Sequence, residues 1–163
     1  MITITDVVFP EDLGALQELI LEYVAWLAID LSYQNFDEEM ASLEALFTLP
    51  SGCYFFAKQG ADIAGGVGFR TIDTDTAEVK RLYVRPEYQG LKIGRALMEH
   101  LLLRLAKLGY RRVVLDAVPP TQRAQALYLG MGFQEIAPYF NNPTPNTRFY
   151  GLDLSSMATI PLH

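Results

Sequence analysis

The sequence predicts a mixed α/β fold: a mostly antiparallel central sheet with flanking helices and a β-α-β unit in its middle. Three observations carry this expectation. Three β-rich runs follow one another between Cys53 and Val84, the first two joined by a turn containing Gly60. The longest helical pattern, Ile93 to Leu108, lies between two strand-like segments. Half of the 163 residues are apolar and 12% are aromatic, which excludes a disordered chain. At this length the chain reads as a single domain over residues 1–163, able to bury about 70% of the surface its unfolded form exposes.

The elements follow in order. Ile2 to Val8 alternates and is β-branched, a first strand. Pro10-Glu11-Asp12 opens a helix with acidic residues in its first turn, and Leu13, Leu16, Leu19, Ile20, Tyr23, Val24 and Leu27 recur at helical spacing. Asp30 to Phe36 breaks that pattern and reads as a loop. Asp37-Glu38-Glu39 starts a second helix with Met40, Leu43, Leu46 and Phe47 as its stripe, stopped by Pro50 and Gly52. Cys53 to Lys58 and Ile63 to Ile72 form a hairpin across Gln59-Gly60-Ala61-Asp62, and Glu78 to Val84 extends it into a meander. Ile93 to Leu108 is an amphipathic helix that ends at Gly109. Arg112 to Ala117 is a short apolar strand. Thr121 caps a short helix running to Met131, with Ala124, Leu127, Tyr128 and Met131 along one side. Phe133 onward turns β-like, Pro138 to Asn146 is a Pro- and Asn-rich excursion, and Arg148 to Leu154 is the last strand.

The cysteine count and the charges narrow the function classes. A lone cysteine, Cys53, makes no intrachain disulfide and no CxxC zinc site, so no metal is expected. The formal charge is −6, but it is uneven: the first 57 residues hold ten acidic residues and no Lys or Arg, leaving nine acidic and 13 basic residues in the remainder. Such asymmetry suits an enzyme with a cationic substrate on one side and a polyanionic cofactor on the other, and equally suits solvated helix faces. With a pI near 4.8 the chain lacks the basic footprint of a nucleic-acid binder. Tyr23 to Ile29, the most apolar early run, is bounded by Glu22 and Asp30 and falls far short of the ~18 residues of a membrane span. The first basic residue is Lys58, which predicts no secretory or transit leader and a cytoplasmic location.

The most informative stretch runs from Val79 to Met98. A strand feeds a loop with two glycines, Gly90 and Gly94, and the loop turns directly into a helix. Free N–H groups and the positive dipole end of that helix form a ready anion site, to which Lys92 and Arg95 add charge. Taken alone, the loop also reads as an ordinary strand-to-helix turn. It contains no Gly-Lys-Ser/Thr and no G-x-G-x-x-G, so a phosphate-bearing cofactor other than a P-loop nucleotide or a dinucleotide is implied.

Leu82-x-Val84-x-Pro86 followed by Gln89-x-x-Lys92-x-Gly94 resembles the acetyl-coenzyme A motif of the GNAT superfamily of N-acetyltransferases, whose pattern is Arg/Gln-x-x-Gly-x-Gly/Ala. Ala124-x-x-Leu127-Tyr128-x-x-x-Gly132-Phe133 resembles that family's second hallmark. The resemblance implies acetyl-CoA as cosubstrate. Backbone groups of Leu82 and Val84 would pair with the pantetheine arm, and Gln89, Gly90, Leu91, Lys92, Ile93, Gly94 and Arg95 would surround the pyrophosphate. The strand near Leu82 and Tyr83 would polarise the thioester carbonyl. Two positions depart from the pattern: Lys92 replaces the first glycine, and Thr121 stands where many members place a cofactor-contacting Asn.

Tyr128 matches the family's general acid, and its place on a helix face also fits a core aromatic. Glu78 stands where some members carry a glutamate base, and strand parity puts it on one face with Lys80 and Leu82; it also reads as an exposed strand carboxylate, and a base acting through water is a further route. His100 reads as a surface residue. Tyr33, Phe36, Tyr139 and Phe140 are candidates to wall an acceptor pocket, with Asp30 or Asp37 attracting a cationic amine, although all four aromatics also fit ordinary packing. The expected reaction is direct acetyl transfer to a primary amine of a small molecule or peptide, with no nucleic-acid or membrane partner. Cys53 is too remote from both motifs to form a covalent intermediate. The alternative is a non-catalytic acyl-CoA or small-ligand sensor on the same fold. Dimers are common in the family, so a homodimer is compatible, though no heptad or apolar stripe marks an interface.

Overall fold

The structure is a computed structural model that describes residues 1–29 and 36–155. Its elements run β1 (Ile2–Asp6), α1 (Leu13–Leu27), α2 (Phe36–Ala41), α3 (Leu43–Leu46), β2 (Gly52–Gln59), β3 (Asp62–Thr71), β4 (Thr76–Val84), α4 (Ile93–Lys107), β5 (Arg112–Ala117), α5 (Gln122–Gly130), β6 (Gln134–Ile136) and β7 (Arg148–Asp153). One seven-stranded sheet has the order β1-β2-β3-β4-β5-β7-β6, and every neighbouring pair is antiparallel except β4 and β5. The predicted meander and the mixed, mostly antiparallel pairing are both present. Parallel neighbours need a crossover, and α4 supplies it.

Two cores sandwich the sheet. On one face Leu97, Met98, Leu101, Leu102 and Leu105 of α4 cover Phe55, Phe69, Val79, Val113 and Leu115. On the other, Leu16, Leu19 and Ile20 of α1, with Leu43 and Phe47, cover Tyr54, Phe56 and Tyr83. No helix among the described residues is long and apolar enough to cross a membrane.

Several local expectations are corrected. The first helix begins at Leu13, so Glu11 and Asp12 precede it; Asp12 turns its carboxylate back to accept the Val8 N–H at 2.9 Å. The second helix starts one residue early, taking in Phe36, and breaks at Ser42 into two short pieces. Thr121 sits at the N-cap of α5, but its hydroxyl donates backwards to the Val118 carbonyl at 2.7 Å instead of capping a helical N–H.

The feature that positions everything else is a bulge in β4. Arg81 adopts a left-handed backbone (φ 58°), and two β4 residues, Arg81 and Leu82, oppose Val67 alone, because Lys80 pairs with Gly68 and Tyr83 with Gly66. The fully buried Tyr54 hydroxyl donates to the Arg81 carbonyl at 2.9 Å. Its ring lies where side chains on Gly66 and Gly68 would sit, 2.5 Å from either hypothetical Cβ, so those two glycines make room for the clamp. The bulge also slips the strand's parity. Val79 packs beneath α4, and beyond Arg81 so do Leu82 and Val84, whereas Tyr83 turns to α1. The expected common face for Glu78, Lys80 and Leu82 therefore breaks at Leu82.

Candidate active site

β4 and β5 pair only from Thr76 to Glu78, opposite Arg112 to Val114. Beyond Glu78 the strands diverge, and the β4 backbone facing β5 has no ladder partner there. Two adjoining spaces that share lining residues fill the gap. A cleft of about 900 Å³ lies between the β4–α4 loop and α5, bordered by Leu82, Tyr83, Val84, Gln89, Gly90, Lys92, Ile93, Gly94, Arg95 and Thr121. A cavity of about 50 Å³ sits deeper between the strands and shares Tyr23, Leu82, Thr121 and Ala124 with the cleft.

Ten of the eleven residues expected at a cofactor thus border one cleft. Leu91 does not; its side chain is 59% exposed and turns outward. Gly90 (φ 87°) and Lys92 (φ 61°) are both left-handed, so Lys92 keeps a backbone shape that favours glycine while adding a cation at the helix entrance. A Cβ on Gly94 would meet Leu127 at 3.6 Å and Val84 at 3.8 Å, so a side chain larger than methyl would enter the cleft. Gln89 donates to the Val84 carbonyl at 3.3 Å and accepts from Arg123 at 2.8 Å, tying α5 to the loop. A bent polyphosphate ester fits this cradle, because the first N–H groups of α4 have no helical partner and three cations, Lys92, Arg95 and Arg123, surround them.

The small cavity holds the polar chemistry. Tyr128 lines it from α5, is 6% exposed, and its hydroxyl makes no hydrogen bond among the described residues. Burial pushes its phenol well above the ordinary tyrosine value, so it stays protonated. Val79, Leu115 and Ala117 belong to the core beneath α4, so Glu78, Lys80 and Asp116 project from the opposite face, toward α1 and α2.

Glu78 is not an exposed strand carboxylate. It is 1% exposed, Oε1 accepts Arg70 Nε at 2.7 Å with Lys80 Nζ 3.8 Å away, and Oε2 accepts the Tyr139 hydroxyl. Burial pushes its carboxyl up, but Lys80, the Tyr139 hydroxyl and Arg70 together outweigh that and hold it below its ordinary value. It borders neither space. Asp116, from β5, does line the small cavity; burial raises its carboxyl against the opposing pull of Lys80, Glu78 adds to the rise, and Asn142 donates to Oδ2 at 3.0 Å. Lys80 also lines the cavity, its ammonium disfavoured first by burial and then by Arg81. Arg81 itself is committed to Glu39 of α2, with Nη2 to Oε1 at 2.6 Å and Nε to Oε2 at 3.1 Å, above the Phe36 ring.

Of the expected acceptor residues, Phe36 packs with Leu27 and Val118, two cavity-lining residues. Tyr139 stacks edgewise on Phe140 and Phe149 and reaches Glu78 without bordering either space. Tyr33 and Asp30 lie outside the described residues, and Asp37 is exposed on α2. His100 is corrected from surface to half-buried: its ring meets Phe55 edge-on at 4.8 Å, and its buried Nε2 has no hydrogen-bond partner. It borders neither space. Sequence reasoning missed Asp116, Arg123 and Trp26. Trp26 borders the large cleft at 45% exposure beside Tyr23 and Tyr83.

These features define an acyl-transfer fold with an anion cradle at one end of a strand wedge and buried acid-base groups at the other. The GNAT acetyltransferase family model matches residues 20–133. An N-acetyltransferase of Schizosaccharomyces pombe is 35% identical, covering 94% of this chain and 96% of its own. Among solved structures, a GNAT-family acetyltransferase of Staphylococcus aureus superposes with TM-score 0.79 at 22% identity, over 94% of this chain and 99% of that one. The PaiA N-acetyltransferase of Thermoplasma acidophilum, solved in complex with coenzyme A, gives 0.71 at 19% identity, over 94% and 99%. The chain belongs to the GNAT family of acetyltransferases.

Proposed function

We propose that this acetyltransferase is cytoplasmic and moves an acetyl group from acetyl-CoA directly to the primary amine of a small molecule or peptide. One observation carries the reading: the cleft with the cradle at the α4 entrance and the cavity holding Tyr128 adjoin along β4, with Leu82, Thr121, Ala124 and Tyr23 lining both. Bound acetyl-CoA would supply the acetyl group as a thioester, the acceptor nitrogen gaining the acyl carbon as the carbon–sulfur bond breaks.

The chain's residues do the rest. Gly90, Lys92, Ile93, Gly94 and Arg95 hold the pyrophosphate, with Gln89 and Arg123 closing over it. The β4 backbone at Leu82, Tyr83 and Val84, in a strand paired with β3 but lacking a β5 partner there, would align the pantetheine arm and polarise the thioester carbonyl. Tyr128, neutral and without a competing hydrogen bond among the described residues, would give its proton to the departing sulfur. Asp116 takes the proton released by the amine nitrogen, since it faces the cavity and burial raises its affinity for a proton. Glu78, the base expected from the sequence, borders neither space and acts through its negative charge, which raises Asp116 further.

The left-handed Lys92 keeps a glycine-like loop shape without glycine, which suits either cofactor reading, whereas Tyr128 and Asp116 lining the small cavity favour the enzyme over a binding-only sensor. A thermal-shift titration with acetyl-CoA, CoA, NAD and ATP tests the cofactor. Ligand at 100 times its Kd stabilises by about 2.7 kcal/mol. Shifts with the two CoA species alone, followed by amine-dependent thiol release, support the reading; no shift with either removes it.

A further inference from the structure

Lys80 and Asp116 bring opposite charges to the same small cavity without pairing to each other. Both line it, one from each diverging strand, and no nitrogen–oxygen approach between them falls within 4.0 Å. The Lys80 ammonium carries three donors and satisfies none of them with a hydrogen bond among the described residues. Its only carboxylate neighbour within 4.0 Å among the described residues, Glu78 Oε1 at 3.8 Å, already accepts Arg70 at 2.7 Å. Arg81, next in the strand, is spent on Glu39. Among the described residues Asp116 receives only the neutral Asn142 amide from a neighbouring side chain, with no cation within 4.0 Å.

Charged groups withdrawn from water cost several kcal/mol each unless they are paired and hydrogen-bonded. Here a cation whose nearest carboxylate, Glu78, is already engaged by Arg70, and an anion that feels Lys80 without reaching it, face a shared space on the α1–α2 side of the sheet. A ligand bearing both signs, anion toward Lys80 and ammonium toward Asp116, completes both at once. An amine with no carboxylate leaves Lys80 unmet.

Resting on the acetyltransferase reading above, we infer that the acceptor is a zwitterionic amine, a free amino acid or close analogue, whose carboxylate pairs with Lys80 while its ammonium pairs with Asp116. The cavity's 50 Å³ admits the head group alone, and Tyr23 and Leu27 on its α1 side meet whatever the α-carbon carries. A peptide N-terminus, which has an amide where the carboxylate would be, is discriminated against by the same lysine.

The test follows thiol release from acetyl-CoA with the common amino acids, their α-amides and their decarboxylated amines. The expected result is a kcat/KM at least about tenfold higher for the best amino acid than for its amide or its decarboxylated amine, the worth of one charge-assisted hydrogen bond. In Lys80→Met, checked for native melting and for CoA binding, that ratio collapses to within about twofold. Equal kcat/KM across the three forms in the wild type overturns the inference, as does preference for amides or amines. A ratio that survives Lys80→Met also overturns it. A protein that binds acetyl-CoA and acetylates nothing in the panel defeats this inference alone, whereas failure to bind acetyl-CoA defeats the parent reading and this one with it.

Discussion

Lys92 carries two separable effects, and a pair of substitutions pulls them apart. Its backbone is left-handed, a conformation costing an L-residue about 1–2 kcal/mol and glycine almost nothing. Lys92→Gly removes that cost, but the unfolded chain gains conformational freedom worth about 0.4–1 kcal/mol. The net gain is about 0.5–1 kcal/mol, or roughly 1–4 °C in melting temperature for a domain of this size. Lys92→Ala keeps the strained geometry, so its melting temperature stays within about 1 °C of wild type. Both variants lose the same exposed cation beside the cradle, so both should bind CoA about threefold more weakly at low salt, a deficit that shrinks as salt screens the wild-type lysine. Differential scanning fluorimetry and calorimetric titration read the two effects independently. If Lys92→Gly melts no higher than Lys92→Ala, backbone strain is not stored at this loop; if either variant binds CoA as wild type does, Lys92 is no phosphate cation.

Three further outcomes are expected. Tyr128→Phe should lower kcat by about a hundredfold or more, the usual worth of a positioned general acid, with CoA affinity changed less than about twofold; unaltered kcat would make Tyr128 a packing residue. Gly94→Ala should bind CoA normally and Gly94→Phe at least about tenfold more weakly, because only the larger side chain extends past Leu127 and Val84 into the cleft; equal binding by both would move the cofactor elsewhere. Glu78 and Asp116 should act on stability with opposite signs. A depressed Glu78 stabilises above its unfolded value and loses this as pH falls through its folded one, so Glu78→Gln should flatten the acid limb of stability. A raised Asp116 is stabilising only at low pH and its contribution is lost as pH rises through the folded value, so Asp116→Asn should raise the melting temperature at pH 8 while abolishing most turnover; melting curves and rates across pH check both.

Legibility in the sequence follows the range of the interaction. The hairpin at Gly60, the meander and the α4 crossover are written in turn chemistry and in the contrast between periods of 2 and 3.6, all local signals. The cofactor loop is local too, and ten of its eleven expected residues, counted with Thr121, meet at one cleft. The Arg81 bulge has no local signature. Its partners, Tyr54 and Glu39, stand 27 and 42 residues away, and the two glycines that admit the Tyr54 ring belong to another strand. Because the bulge was invisible, strand parity failed at Leu82. Asp116 carried a signal that went unread: it is a single acid inside the apolar run Arg112 to Ala117, where burial without purpose is costly. Trp26 falls off the apolar stripe of α1, and only the fold shows that it borders a cleft instead of open solvent.

The three residue pairs joining β4 to β5 make the sheet a seam between two panels, one of four strands and one of three. Most of the seam is open beyond Glu78, and the panels are otherwise bridged by the helices laid across them and by the hydrogen bond from Tyr139 to Glu78. On the reading proposed above, a cofactor running along the opening would act as a removable strand, with the β4 backbone that lacks a β5 partner available to it. Filling the site and closing the sheet are then one event, and amide exchange on the facing edges of β4 and β5 should slow together when CoA binds, while the hairpin at Gly60 keeps its own pace.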